Sequence, residues 1–220
     1  MELRDIYSGN PFFILGASAG NTRAELIDRQ EELALFGNSG ATEQALSRLL
    51  NPQTRLEAEI QWFPLMSARE VQNLIAFFDL HRDDAKMPGF SFPSVLAQFN
   101  MLRLALSRMT IHTAEVGQAV FHSLALAADA LLPGQIMEEI NEDRRHAGYP
   151  EVKNRSEIET QIRTLLAETA RVFMDRMSGP VSEKQFQELS KAFAKEYKSA
   201  SSPYHNSYLL EIAADYLAAK

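Results

Sequence analysis

The sequence predicts an all-α protein in which a helical domain at residues 1–66 precedes a multi-helix bundle at residues 67–220. Three observations support this prediction. Apolar residues recur at three- and four-residue spacings along most of the chain, which is the period of a helix buried on one face. Residues suited to helix caps stand before several of these segments. No stretch alternates polar and apolar residues as a half-buried strand does.

The first domain contains three clear helical segments. One begins near Thr22 and the next near Thr42, with a turn of Gly, Asn and Ser between them. The third begins at Pro52, because Asn51 suits an N-cap and proline is favoured in the first helical turn. Their apolar positions, at helical spacing, are Leu26, Ile27 and Leu33, then Ala45, Leu46 and Leu49, then Leu56, Ile60 and Phe63.

The second region continues the helical pattern. Ser67 and Glu70 have the spacing of a capping box at the start of a helix. Residues 116–128 are apolar on nearly every side, so we expect that helix at the centre of the bundle. Another helix begins at Pro133, a long amphipathic helix follows Ser156, and two shorter helices are expected near the C-terminus.

Two runs of charged residues are expected on the solvent-exposed surface. One is Glu138 with Glu139, and the other is residues 142–145, Glu-Asp-Arg-Arg, for which a contact patch is the alternative interpretation. Tyrosines near the C-terminus form a further candidate contact surface, consisting of Tyr204, Tyr208 and Tyr216.

Composition excludes several classes of function. The chain has 220 residues and no cysteine, which rules out disulfide scaffolds, thiolate metal sites and cysteine catalysis. It carries 22 Lys and Arg against 29 Asp and Glu, a formal charge of −7, whereas nucleic-acid binding needs a basic face. The most apolar stretch is shorter than the ~20 residues of a membrane helix, and the charged start does not resemble a signal peptide. We therefore expect a cytoplasmic protein that binds neither nucleic acid nor membrane.

The first 63 residues resemble the J domain, the co-chaperone module that stimulates ATP-driven heat-shock chaperones. Residues 12–16 read Phe-Phe-Ile-Leu-Gly, like the aromatic-rich segment ending in Leu-Gly that opens J domains. Residues 45–49 read Ala-Leu-Ser-Arg-Leu, and residues 51–55 read Asn-Pro-Gln-Thr-Arg. These segments are similar in order and spacing to the Ala-Tyr-x-x-Leu and Asp/Asn-Pro-x-x-Arg motifs of the family.

Two departures from the family pattern bear on function. Where J domains have His-Pro-Asp between their second and third helices, residues 36–40 read Phe-Gly-Asn-Ser-Gly. The second helix of a J domain is usually basic because it docks on an acidic chaperone surface, but here acids outnumber Arg23 and Arg29. The resemblance therefore implies the J-domain skeleton without the features that carry chaperone stimulation.

These observations favour a non-catalytic protein-interaction module, an adaptor or scaffold related to J-domain co-chaperones. The alternative is an active co-chaperone that contacts a heat-shock ATPase through a non-standard surface. The candidate partner-binding residues are Arg23, Arg29, Trp62 and Phe63. Trp62 and Phe63 stand at the end of the J-like segment, where they either seal the joint with the second domain or anchor a partner.

No catalytic residue, cofactor or metal ligand is expected. Residues 16–20 read Gly-Ala-Ser-Ala-Gly and match the G-x-S-x-G nucleophile elbow of hydrolases. That motif requires a strand that turns sharply into a helix, and the sequence predicts no sheet around it. The five histidines also show no metal-ligand spacing such as H-E-x-x-H.

Overall fold

Nine α-helices and no strand are present in the residues that the computed structural model describes, which are 7–37, 39–82, 91–111, 113–177 and seven scattered positions beyond 183. The prediction of an all-α protein is confirmed for this part of the chain. In order, the helices are α1 (Pro11–Leu15), α2 (Arg23–Ala34), α3 (Ser39–Leu50), α4 (Pro52–Ile60), α5 (Ala68–Leu80), α6 (Val95–Arg108), α7 (Ala114–Asp129), α8 (Pro133–Ala147) and α9 (Arg155–Met177).

Capping boxes begin two of the helices. At α2, the Thr22 hydroxyl accepts from the backbone N–H of Glu25, and the Glu25 carboxylate accepts from the backbone N–H of Thr22 at 2.8 Å. Ser67 and Glu70 make the same reciprocal pair at α5. Both helices therefore start where local side-chain hydrogen bonds satisfy backbone N–H groups that have no partner within the helix.

α4 starts at the residue predicted from the sequence, whereas α3 starts earlier than predicted. α4 begins at Pro52 as predicted, and the Asn51 side chain accepts from the backbone N–H of Gln53 at 3.0 Å. α3 begins at Ser39, earlier than the predicted start near Thr42. Thr42 lies inside the helix, and its hydroxyl donates to the carbonyl of Ser39 at 3.1 Å.

The most deeply buried helix is α6, and the prediction that α7 occupies the centre was wrong. Eleven of the fourteen residues of α6 are buried. By contrast, α7 buries one face through Phe121, Leu124 and Ala125, while Leu126 is 53% exposed. The apolar pattern misled because exposed Ala side chains are common on protein surfaces, whereas α6 contains polar residues that find partners inside the core.

Two polar side chains of α6 connect it to neighbouring helices. The amide of Asn100 donates to the backbone carbonyls of Ile60, the last residue of α4, and of Trp62, just after it. The Nε of Arg103 donates to the Thr169 hydroxyl of α9 at 2.9 Å, and its Nη1 donates to the side-chain oxygen of Asn100. These buried groups are thus hydrogen-bonded within the core, which offsets their desolvation.

A buried ion-pair network joins α4 to α8. The carboxylate of Glu59 lies 2.6 Å from Nε of Arg55 and 2.8 Å from Nη2 of Arg144, and all three side chains are almost fully buried. Nη2 of Arg55 also donates to the Ala19 carbonyl at 2.7 Å, and its guanidinium carbon lies 3.7 Å from the centroid of the Tyr149 ring. The two regions of the chain therefore share one core, while the domain boundary after residue 66 stays a prediction.

The two charge runs of α8 are only partly solvent-exposed, which corrects the sequence prediction. The Glu139 side chain is buried, and its carboxylate accepts from the backbone N–H groups of Val95 and Leu96 at the start of α6. Asp143 and Arg144 are buried as well. These side chains turn inward because each meets a hydrogen-bond or ion-pair partner from another element. The exposed members of the runs are Glu138, Glu142 and Arg145.

Only the seven scattered positions are described of the two helices predicted near the C-terminus, and Tyr204, Tyr208 and Tyr216 lie outside the described residues.

Candidate functional site

α2 lies on the surface of the molecule and buries only Leu26. Its two arginines stand against four acids, so its formal charge is 2 − 4 = −2. Arg23 is exposed at the start of the helix. The Arg29 side chain is 42% exposed and pairs with Glu32 at 2.6 Å. Both predicted arginines are accessible, but they belong to a surface that is acidic in balance.

Two large apolar side chains are exposed to solvent where α2 ends. Leu35 is 84% exposed and Phe36 is 81% exposed. The turn that holds them is closed by backbone hydrogen bonds from Phe36 to the Leu33 carbonyl and from Gly37 to the Ala34 carbonyl. Gly37 has φ 97°, a conformation that glycine adopts without strain. We call Leu35 and Phe36 the α2–α3 tip.

Acidic side chains approach the α2–α3 tip along α2. Glu31 and Glu32 lie in the last turn, which contains no basic residue. Carboxylates are unfavourable there because aligned peptide dipoles place partial negative charge at a helix C-terminus. Arg29 pairs with Glu32. Among the described residues, Glu31 and Asp28 form no ion pair, and their spacing places them on the helix face that leads to Leu35.

Trp62 and Phe63 are core residues rather than an exposed contact surface. They are 2% and 0% exposed. The Trp62 ring stacks with Phe12 at 6.0 Å between centroids, and the Phe63 ring stacks with Tyr7 at 5.6 Å. Both ring partners lie within residues 1–66, while the Trp62 carbonyl accepts from the Asn100 amide of α6. A partner-binding role for Trp62 and Phe63 stays a prediction.

The G-x-S-x-G segment lacks the geometry of a nucleophile elbow. The residues before it form helix α1, which ends at Leu15 and is capped by Gly16 with φ 59°. The hydroxyl of Ser18 lies 3.1 Å from the side-chain oxygen of Asn21. An elbow needs a strand before the serine and a histidine beside it. The local geometry is instead that of a loop between two helices.

An open cavity of about 670 Å³ lies beside Asp143. Its lining residues are Gly20, Leu65, Met66, Ser67, Glu142, Asp143, Arg145 and His146. The Asp143 carboxylate accepts from the backbone N–H of Leu65 at 2.9 Å, and Leu65 has the left-handed φ of 61°.

Burial raises the pKa of Asp143 to about 6. The N–H of Leu65 opposes this rise, and so does the positive charge of Arg55, while the negative charges of Glu59 and Glu142 add to it. Among the described residues, no basic side chain is hydrogen-bonded to Asp143. The cavity is lined by both acidic and basic side chains. The arrangement is suited to holding the turn at Leu65 and does not indicate a particular ligand.

The described residues show neither a metal site nor a single membrane-spanning helix. Over these ranges, no group of three or more His, Asp or Glu side chains could hold a metal ion. No single helix in the described part is long and apolar enough to cross a membrane. By length and composition alone, α7 and α8 together pass the same test, as a pair bent by 82°.

Comparisons of the chain with protein-family models, with curated proteins and with solved structures found no match.

Leu35 and Phe36 are not among the binding residues predicted from the sequence. A signal was present, since two large apolar residues stand side by side at the turn between two predicted helices. Turns at a protein surface usually carry small or polar residues. An adjacent Leu and Phe at such a turn therefore indicates either burial or contact with another molecule, and only the structure distinguishes these outcomes.

Proposed function

We propose that this chain is a non-catalytic protein-interaction module, an adaptor or scaffold related to J-domain co-chaperones. The observation that supports this most directly is the exposure of the α2–α3 tip. Leu35 and Phe36 extend into solvent from a hydrogen-bonded turn. Adjacent exposed apolar side chains favour association, because water is released when a partner covers them.

The position of the tip supports a relationship to J-domain proteins. It lies at the turn between α2 and α3, which in the resemblance is the place of the His-Pro-Asp motif. The chain has Phe-Gly-Asn-Ser-Gly there, and α2 is acidic in balance. We therefore expect a contact made by the same end of the hairpin, but with different chemistry and without stimulation of an ATPase.

Affinity capture with matched variants tests the interaction function. The full chain and its Leu35→Ser/Phe36→Ser variant are used as baits in a native lysate of the host, and bound proteins are quantified by mass spectrometry. We expect at least one protein to be retained by the wild type and reduced about tenfold or more with the double variant, since buried apolar anchors dominate binding energy.

The matched control for this capture is Leu132→Ser, which removes another exposed leucine, 60% accessible, at the start of α8. It should retain the same proteins as the wild type. If all three baits recover the same proteins, the tip is not the contact and the proposal loses its support.

An enzymatic assay distinguishes the co-chaperone alternative from the adaptor function. The purified chain is added to the host's heat-shock ATPase, and steady-state ATP hydrolysis is followed. We expect no change in rate, because the His-Pro-Asp tripeptide and the basic second helix are both missing. Clear stimulation that is lost in the Leu35→Ser/Phe36→Ser variant would establish the alternative in place of the adaptor.

A further inference from the structure

We propose that the α2–α3 tip docks in an apolar pocket bordered by Lys and Arg side chains on a partner protein. This inference rests on the proposed interaction function and specifies the partner's surface. Two features of the described residues carry it. One is the exposed pair Leu35 and Phe36, and the other is the negative charge of Asp28 and Glu31 beside it.

The apolar pair requires a concave apolar surface on the partner. Leu35 and Phe36 are 84% and 81% exposed, which places them, with Leu80 at 81%, among the most exposed large apolar side chains of the described residues. The N–H groups of Phe36 and Gly37 are engaged by carbonyls of α2, so the backbone presents both side chains from a fixed turn. A preorganised turn of this kind loses little conformational freedom on binding.

The acidic residues require positive charge at the rim of that pocket. Glu31 has no ion-pair partner among the described residues and lies at the negative end of the α2 dipole. Asp28, one turn earlier, is exposed and likewise without an ion pair in the described part. A Lys or Arg on the partner would relieve the unfavourable interaction that the free helix end carries.

The arginines of α2 do not neutralise this end of the helix. Arg29 is engaged by Glu32 at 2.6 Å. Arg23 stands twelve residues before Leu35, about 18 Å along the helix axis, compared with about 6 Å for Glu31 and about 10 Å for Asp28. With a Debye length of ~8 Å at physiological salt, screening therefore weakens the effect of Arg23 at the tip more than that of either acid. The charge that α2 contributes beside the tip is therefore negative.

The negative charges of Asp28 and Glu31 disfavour other kinds of binding partner at the α2–α3 tip. Nucleic acid and anionic lipid surfaces would meet Asp28 and Glu31 with like charge. A second copy of this chain, with formal charge −7, would also be repelled in balance. J domains, which the first 63 residues resemble, dock on an acidic chaperone surface. The acidic α2 would be repelled by such a surface. A basic protein surface with an apolar centre fits both features.

Site-specific cross-linking tests the inference on the full chain. Phe36 is replaced by the photo-reactive amino acid p-benzoylphenylalanine, the chain is irradiated in native lysate, and cross-linked proteins are identified by mass spectrometry. The experiment is repeated with Glu31→Lys, with Asp28→Lys, and at NaCl concentrations from about 50 to 300 mM. We expect each reversal and the higher salt to lower the cross-link yield, with about a tenfold loss for Asp28→Lys and Glu31→Lys combined.

The control variant is Glu138→Lys, which makes the same change in net charge at a 69% exposed position on α8. Its cross-link yield should stay within about twofold of the unreversed chain. Thermal unfolding is recorded for every variant. Glu31→Lys should keep or raise the melting temperature, because it places a cation at a helix C-terminus. Loss of cross-linking without loss of stability is an effect that a merely structural residue would not produce.

The outcomes separate this inference from the proposed function. A cross-link at position 36 that is unaffected by charge reversal and salt would overturn the basic-rim proposal while leaving an interaction module. Absence of any protein cross-link at position 36 would contradict both. Capture of a protein by itself does not count as support; the dependence on Asp28, Glu31 and salt does.

Discussion

At the scale of the single residue, Asp143 combines a structural contact with an unfavourable environment. Its carboxylate accepts the backbone N–H of Leu65, which holds a left-handed φ that most side chains avoid. Burial raises the pKa of the same carboxyl to about 6, and nearby Glu59 adds to the rise. The folded chain therefore favours the protonated form of Asp143 more than the unfolded chain does.

The first prediction concerns the pH dependence that follows from Asp143. Between its ordinary pKa of 3.8 and about 6, the folded chain binds more protons at this site than the unfolded chain. The free energy of unfolding should therefore fall as pH rises through this window. Asp143→Asn can still accept the Leu65 N–H but never ionises. Relative to the wild type, it should gain about 1–2 kcal/mol between pH 4 and pH 7.5, a figure reduced for partial solvent access.

Urea unfolding at several pH values measures this difference. The control is Glu43→Gln, which removes an exposed carboxyl of α3 that is not among the groups shifting the pKa of Asp143, and its stability should follow the wild-type pH curve. An Asp143→Asn variant whose stability follows the wild-type pH curve would show that Asp143 does not titrate in this window.

At the scale of the element, hydrogen bonds between neighbouring residues set where helices begin. The box at Ser67 and the Asn51 cap before Pro52 were predicted from the sequence and are present. The box at Thr22 was found only in the structure. The position of α7 was not predicted correctly, because an apolar pattern permits burial without specifying which neighbours supply it. Local chemistry defines the ends of an element, and packing defines its depth.

The second prediction tests the cap of α5. Ser67→Ala removes the hydroxyl that accepts the N–H of Glu70 and donates to its carboxylate at 2.6 Å. We expect a loss of about 1 kcal/mol in the free energy of unfolding. Ser47→Ala, at an exposed position inside α3, is the comparison and should change stability by less than about 0.5 kcal/mol. Equal urea midpoints for the two variants would rule out a stabilising cap.

At the scale of the whole molecule, buried charges hold the two regions together. Glu59 on α4 accepts from Nε of Arg144 on α8 at 2.9 Å, across 85 residues of sequence. Arg55, beside Glu59, also reaches back to the loop before α2 through the Ala19 carbonyl. α4 and the loop before α2 are therefore bonded to α8 by groups that would be costly to bury alone.

The third prediction is that Glu59→Gln strongly destabilises the fold. The change leaves the guanidinium groups of Arg55 and Arg144 buried without their carboxylate, which costs about 3–5 kcal/mol in the free energy of unfolding. The control is Glu159→Gln on α9, where the carboxylate pairs with Arg155 at 3.2 Å and both side chains are exposed. That exposed pair should contribute at most about 1 kcal/mol.

Chemical denaturation followed by circular dichroism measures both variants. If Glu59→Gln were no more destabilising than Glu159→Gln, the buried network could not be what holds α4 and α8 together.

The sequence by itself determined the helical class and the predicted caps, because both depend on residues within a few positions of one another. A capping box involves residues within one helical turn, and helical spacing is visible over a few turns. Tertiary structure decided which side chains of these helices are buried. The sequence predicted surface positions for Glu139, Asp143 and Arg144. Each is instead buried and hydrogen-bonded to a residue far away in sequence. Leu35 and Phe36 are apolar, yet they are exposed to solvent, because none of the other described elements covers the turn that holds them.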